Sequence, residues 1–474
     1  MADTPAPRTD AQAIPHITVD LVKRHDKPGP RYTSYPTANE FVEDFGSDAY
    51  SERLTEASKH GDLPLSLYVH LPFCRRRCSF CACNVVITQR SDVIEKYLDY
   101  LPREIELVAS KLGGRNRVIQ YHWGGGTPTH LNTDEMRFVQ RTIERYFAID
   151  HDAEVAIEIH PPVTTHEQID LLAEMGFNRL SMGVQDLDPT VQDLINRYQT
   201  VEQTWDMVNY GRSAGFHSVN LDLIYGLPQQ TLNSWRKTIQ TVLEMRPERI
   251  ACYSYAFVPW IKPHQKAITV DMLPPPELKI ELFLMAREMF LGAGYEAIGM
   301  DHFAVPEDEL ARAAANGVLH RNFMGYTTKP APDMVGFGVS AISDVANGYA
   351  QNEKKLSRYY DALDAGRLPI ERGYGLSKDD LIRRYVITSL MCNMQVLFAN
   401  VEQRFDIAFA DYFADEMAHL NAADSPVEQG FAEIRDDGIY VTPLGRLFIR
   451  NIAMVFDVYL RRKKADKPVF SRTV

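Results

Sequence analysis

Four cysteines fall within ten residues, Cys74, Cys78, Cys81 and Cys83, and the first three are spaced CxxxCxxC. That spacing can place three thiolates around one four-iron cube, leaving one iron open to hold a small molecule and pass it an electron. Two other chemistries use clustered cysteines. A tetrahedral zinc site usually draws on two CxxC-like pairs separated by a longer stretch, whereas here all four thiols share one loop. A disulfide framework is disfavoured because the remaining chain holds only Cys252 and Cys392 and nothing else looks secreted. Cys83 lies outside the three-ligand pattern and is expected beside the centre.

Other polar residues recur at strand ends. Gly124-Gly125-Gly126-Thr127-Pro128-Thr129 follows a strand-like run, and its glycines allow close backbone approach to a ligand and could present N–H groups to it. It is neither a phosphate-binding P-loop nor a GxGxxG fingerprint. Glu158, Gln185, Asp186 and Asp222 interrupt apolar strands, where a carboxylate must pair internally or face a polar ligand. Arg197 could supply charge for a carboxylate. His70 and His302 are either hydrogen-bonded structural residues or proton donors to a pocket.

These residues need a scaffold, and the pattern between about residues 64 and 257 supplies one. Strand-like runs at 65–70, 118–123, 155–160, 179–184, 219–224 and 249–256 alternate with helical periodicity. Six such units are fewer than the eight of a closed barrel, so an open partial (β/α)6 barrel is expected, with its chemistry beyond the carboxyl ends of the strands. Asp92 with Glu95 reads as a capping box, opening a helix whose apolar face runs from Ile94 to Leu112 around Pro102. After about residue 375 helices dominate. Ser377 to Asp380 reads as a capped start, with Leu381, Ile382, Tyr385 and Val386 on one face, and Thr442-Pro443 as a later helix start. Three regions are expected: an N-terminal extension over 1–60, the barrel domain over 61–374, and a mainly helical, winged-helix-like domain over 375–474.

The net charge of −12 argues against general nucleic-acid affinity, and no apolar run reaches membrane-spanning length. Met1 to Pro15 has no apolar signal core, so a cytoplasmic protein is expected. Without a long heptad seam, a monomer is expected. Cys252 and Cys392 sit in apolar surroundings as inert thiols.

Taken together, CxxxCxxCxC, the GGGTPT loop and DLIYGLP at 222–228 resemble the radical S-adenosylmethionine (SAM) superfamily. Arg31-Tyr32-Thr33-Ser34-Tyr35-Pro36-Thr37-Ala38, Gly299-Met300-Asp301-His302-Phe303-Ala304 and Arg321-Asn322-Phe323-Met324-Gly325-Tyr326-Thr327-Thr328 narrow the resemblance to the oxygen-independent coproporphyrinogen III oxidase family. The resemblance implies a 4Fe-4S cluster on Cys74, Cys78 and Cys81, with SAM on the fourth iron. A 5'-deoxyadenosyl radical would abstract hydrogen from the β-carbon of a propionate. Two oxidative decarboxylations would then convert coproporphyrinogen III to protoporphyrinogen IX. By position in the matching motifs, Tyr68, Phe80, Gly125, Gly126, Thr127, Glu158, Gln185, Arg197 and Asp222 would contact the cofactor, and Ala256 and Ile342 a second SAM.

The substrate's carboxylates require cations, for which Arg31 and Arg321 are the candidates. A radical of this kind must be shielded, making Arg31 to Ala38 or the C-terminal region a candidate lid. Arg75, Arg76 and Arg77 could favour the reduced cluster or dock a flavodoxin- or ferredoxin-type reductant; a solvated basic loop is the alternative. The alternative reading is a heme chaperone of the same superfamily, which resembles this chain through the barrel but binds heme without decarboxylating a porphyrinogen; such relatives typically lack the fourth cysteine and RNFxGYTT and carry HNxxYW, whereas this chain has Cys83 and lacks HNxxYW. Ser79, Ala82, Met324 and Pro162 depart from the family's usual tyrosine, glycine, glutamine and arginine.

Overall fold

A computed structural model describes residues 17–462, 470 and 472; the Met1 to Pro15 segment lies outside the described residues. The chain divides into two compact units.

The first unit, Glu40–Leu273 with Lys329–Leu376, holds the barrel. Its parallel strands are β1 (Leu65–Leu71), β2 (Arg117–Gly125), β3 (Ala148–Ile159), β4 (Arg179–Gln185), β5 (Ser218–Tyr225) and β6 (Arg249–Ser254), each paired with the next. All six expected strands form, with boundaries moved by at most a few residues except at the start of β3. Helices occupy every crossover. The other edge of β1 pairs with β7 (Asp333–Phe337) and not with β6, so the barrel stays open. Beyond β7, an antiparallel meander of β8 (Ile342–Val345), β9 (Gly348–Asn352) and β10 (Ile370–Gly375) extends the sheet. That extension has no counterpart in the sequence reading.

Alternation along the strands explains both core and site. Leu65, Leu67, Val69 and Leu71 of β1 are buried, as expected for a sheet covered on both faces. The opposite set is polar. Ser66 donates to Gln120 (2.9 Å), which donates to Glu154 (3.0 Å), forming a buried ladder across β1, β2 and β3. One pleat nearer the carboxyl ends, the same positions are Tyr68, His122 and Ala156; another pleat brings His70, Gly124 and Glu158.

The helix Ser91–Lys111 buries Ile94, Tyr97, Leu98, Leu101, Ile105 and Val108, the expected face, and carries Pro102 within it. Its start differs from expectation: Arg90 is the N-cap with no side-chain cap, and Asp92 instead accepts from Arg90 Nε at 3.0 Å. Glu104 on this helix is buried and accepts from Gly338 N–H (2.7 Å), Asn352 (2.5 Å) and Tyr359 (2.6 Å), tying the helix to the β7–β9 meander.

The second unit comprises the chain up to Asn39, Pro274–Thr328, and the chain from Ser377. The contact pattern therefore differs from the boundaries at 60 and 374: Ser47–Ser58 is a helix of the barrel unit, and Pro274–Thr328 belongs with the C-terminal part. Ser377 and Asp380 form the expected capping box. The buried face of Lys378–Asn393 is rotated, however, running through Ile382, Val386, Ile387, Leu390 and Met391, with Leu381 and Tyr385 at its edge. Thr442 accepts from Gly445 N–H (3.0 Å) in a turn that leads into a 3-10 helix, so no α-helix starts at Pro443. A three-stranded antiparallel sheet, Gln395–Leu397, Gly438–Val441 and Ala432–Arg435, completes the C-terminal domain. Among the described residues no helix is long and apolar enough to cross a membrane.

Candidate active site

The cysteine loop leaves β1 at its carboxyl end, where Phe73–Cys74 pairs in parallel with Val86–Ile87. Its far side rests on the segment after β4: Ser79 N–H donates to Ile195 O (2.8 Å) and Asn196 Nδ2 to Arg77 O (2.9 Å). Cys74, Cys78 and Cys81 lie within one another's electrostatic reach. Burial pushes Cys74 up to about 11 and raises Cys78, with Arg197 opposing it at both. Cys81 is drawn down to about 6, chiefly by the Cys83 thiol hydrogen-bonded to it. Among the described residues no three histidine, cysteine or carboxylate side chains converge on a single ion. A cube is gripped from outside by thiolates that need not converge, and this loop suits it.

The glycine loop lies beside the cysteines. Thr127 Oγ1 is 3.5 Å from Cys74 Sγ. Gly125 has φ +113° and donates its N–H to Glu158 Oε2 (3.1 Å); a Cβ there would sit 2.5 Å from the His70 ring. The N–H groups of Gly126 and Thr127 donate to Leu71 O and Phe73 O, both at 2.9 Å. The expectation that this loop offers N–H groups to a ligand is corrected: those three are spent inside the fold. The missing Cβ atoms and the positioned Glu158 remain as its contribution.

Glu158, next to last in β3, has 44% of its side chain exposed and lies 3.4 Å from His122 Nε2. Burial would raise its carboxyl, but His122 and the Gly125 N–H hold it below the usual range. Tyr68 stacks on His122 with centroids 5.8 Å apart, and its hydroxyl lies 3.0 Å from His70 Nδ1. His70 Nε2 bonds Asn84 O at 3.0 Å and burial lowers its basicity, so this histidine is neutral, fully paired and structural.

Across the rim, Gln185 ends β4 in left-handed backbone (φ +69°), strain of a kind that clusters at functional sites. Arg197 donates to the Gly183 carbonyl and reaches Cys78 Sγ at 3.8 Å, while its buried Nε has no partner. Gly183 permits this approach, since a Cβ would sit 2.9 Å from Arg197 Nη2. Asp222 accepts from Asn220 at 2.8 Å. Asp186 is structural: it is wholly buried and accepts from Thr238 and Gln230, both at 2.6 Å.

Phe80 packs against the cluster of Val191, Ile195, Ile224, Leu227, Tyr255 and Ile268. Ala256 follows β6, and Ile342 opens β8 beyond the Gly338 turn that abuts His70. Thus every expected cofactor-contact residue lies in the barrel unit, near or after the carboxyl ends of its parallel strands, with Tyr68 and Asp222 each three residues inside a strand. Arg75, Arg76 and Arg77 are exposed, with Arg76 over the Tyr198 ring at 5.7 Å.

Arg31 and Arg321 lie in the other unit. Arg31 pairs with buried Asp301, which also accepts from His302 (2.8 Å). Arg321 donates to the Arg31 carbonyl and sits 5.1 Å over the Tyr326 ring; its Nε is buried without a partner. For Arg31 and His302 the structural role is therefore occupied.

His122 escaped the sequence reading, although Gln120, His122 and Gly124 form a period-two polar series that could have revealed it. His264 and Gln265, which hold the cysteine loop from the far end of the barrel, had no local signal.

Residues 68–242 match the Radical SAM superfamily and residues 376–448 the HemN C-terminal domain. The oxygen-independent coproporphyrinogen III oxidase of Escherichia coli (strain K12) is 45% identical over 455 residues, covering 96% of this chain and 98% of its own. That of Synechocystis sp. is 42% identical over 462 residues, covering 97% and 98%. The solved structure of coproporphyrinogen III oxidase (HemN) from Escherichia coli, described as a radical SAM enzyme, superposes with a TM-score of 0.88 at 43% identity, covering 94% of this chain and all of that one.

Proposed function

The chain belongs to the oxygen-independent coproporphyrinogen III oxidase family, and from that premise we propose that it decarboxylates two propionates of coproporphyrinogen III to vinyl groups, giving protoporphyrinogen IX. The observation that carries the reading is the gathering of Cys74, Cys78, Cys81, Glu158 and Arg197 on one barrel rim, with Arg197 Nη1 3.8 Å from Cys78 Sγ.

When bound, the reduced 4Fe-4S cluster and SAM supply a one-electron cleavage and the hydrogen-abstracting radical. The protein's own residues bind and orient. Cys74, Cys78 and Cys81 would hold the cluster. Arg197 suits a carboxylate, its unpartnered Nε being costly unless a ligand completes it. Glu158 and Asp222 suit amino and hydroxyl groups, Gly125 and Gly126 admit the ligand's polar end, and Thr127 braces Cys74. Tyr68, Phe80 and Gln185 line the same rim, and Ala256 and Ile342 would contact a second SAM.

Arg321 is the better candidate of the two arginines for a substrate carboxylate, because Arg31 already holds Asp301. The exposed Arg75-Arg76-Arg77 edge suits an acidic reductant of flavodoxin or ferredoxin type.

Alanine at Cys74, Cys78 or Cys81 should abolish iron binding after anaerobic reconstitution, while Cys83→Ala retains it. Iron lost equally from the Cys83 variant would contradict this division of ligands.

A further inference from the structure

The loop after β6 does more than connect. Gln265 is wholly buried, 185 residues along the chain from Phe80, and uses all of its carboxamide. Its Nε2 donates to Phe80 O (2.9 Å) and Ala256 O (3.2 Å), and its Oε1 accepts from Val258 N–H (2.7 Å). Beside it, His264 Nε2 donates to Cys81 O at 2.7 Å. Two successive side chains thus grip two successive carbonyls of the cysteine loop from the opposite end of the parallel sheet. The Ser79 and Asn196 bonds hold the other flank.

Here the anchor is a short 3-10 helix, Pro263–Ala267, packed through Ile268 against the cluster that also receives Phe80. The buried carboxamide also joins Phe80 to Ala256, two segments that contact different SAM molecules in the proposed function.

We propose that residues 256–268 form a latch that sets the position of the Phe80–Cys81 segment, with Gln265 as its positioning residue and His264 as a second clasp. The latch rests on the proposed function only for its consequence at the cofactor; its grip on the loop is independent of that reading.

The test uses the full chain carrying Gln265→Met, which keeps length but leaves two carbonyls and an N–H unpaired, and separately His264→Ala. Amide hydrogen exchange without cluster should rise on the order of tenfold or more across 79–83 in Gln265→Met and less in His264→Ala, as expected for the loss of three hydrogen bonds against one. Exchange in β1 to β5 should be unchanged. In reconstituted protein, iron content should match wild type while the SAM-induced change in the reduced cluster's EPR spectrum requires several-fold more SAM. Unchanged exchange across 79–83 in both variants would overturn the latch, as would an unaltered SAM dependence in Gln265→Met. Should Gln265→Met fail to fold, exchange and SAM dependence in His264→Ala decide. A wild-type protein that takes up no iron would count against the proposed function, and the exchange comparison would still decide the latch.

Discussion

Arg197 Nη1 lies 3.8 Å from Cys78 Sγ. One guanidinium, placed just after the left-handed Asn196 (φ +52°), thereby couples the cysteine loop to the Gly183 carbonyl of β4. Replacing it with methionine should keep the packing and remove the charged fork. SAM affinity of reconstituted protein, measured by calorimetry, should fall about tenfold or more, the scale of a lost charge-assisted bond. Iron content should hold. Arg197→Lys should recover little of the affinity, because a point charge does not replace the planar fork.

Gly125→Ala should be more damaging than its size suggests. The new Cβ meets the His70 ring at 2.5 Å, and φ +113° is unfavourable to any L side chain. Moving either group displaces the N–H that positions Glu158. The expected outcome is at least tenfold weaker SAM binding with cluster iron retained, read by titrating the SAM-dependent EPR change.

Glu104 gives the fold a pH dependence. Burial pushes its carboxyl from 4.5 up to about 7 despite three donors. The folded chain therefore keeps a proton that the unfolded chain releases, and stability falls as pH rises from about 4.5 to about 7, by roughly 3 kcal/mol from this group. Glu104→Gln should flatten that span in urea unfolding across the same pH range. Glu104→Ala, leaving three donors unpaired, should cost roughly 2–5 kcal/mol, with the larger cost at low pH where the protonated carboxyl stabilises the fold.

How much of this was legible beforehand depended on sequence distance. Strands β1 to β6 each carry their own apolar run and turn signals, so alternation sufficed. The β7–β10 meander did not announce itself, because Gly336, Gly338 and Gly348 break the pattern and its pairing with β1 joins segments more than 250 residues apart in number. Glu158 and Asp222 stood out as carboxylates inside apolar strands. Asp186, equally conspicuous, proved to be a buried bracket for Thr238 and Gln230. Composition cannot separate those outcomes; only the partners do. The expected GGGTPT loop forms, but the destination of its N–H groups depends on Leu71, Phe73 and Glu158, which lie in three other strands.

Asp301 has the opposite pH sign to Glu104. Burial would raise its carboxyl, but Arg31 and then His302 hold it far below its ordinary 3.8. Its contribution is present above that value and is lost as pH falls below it. Asp301→Asn should lower stability at neutral pH by roughly 2–4 kcal/mol, the buried-pair figure discounted because the Arg31 side chain keeps 31% exposure. Urea unfolding combined with hydrogen exchange over 296–304 checks both size and location.

Anaerobic incubation of the reconstituted protein with coproporphyrinogen III, SAM and a low-potential reductant tests the central claim most directly. The predicted result is protoporphyrinogen IX by chromatography, with two carbon dioxide molecules released for each substrate consumed. SAM cleaved while coproporphyrinogen III remains unchanged would contradict it, leaving a protein that makes the radical but does not spend it on this porphyrinogen.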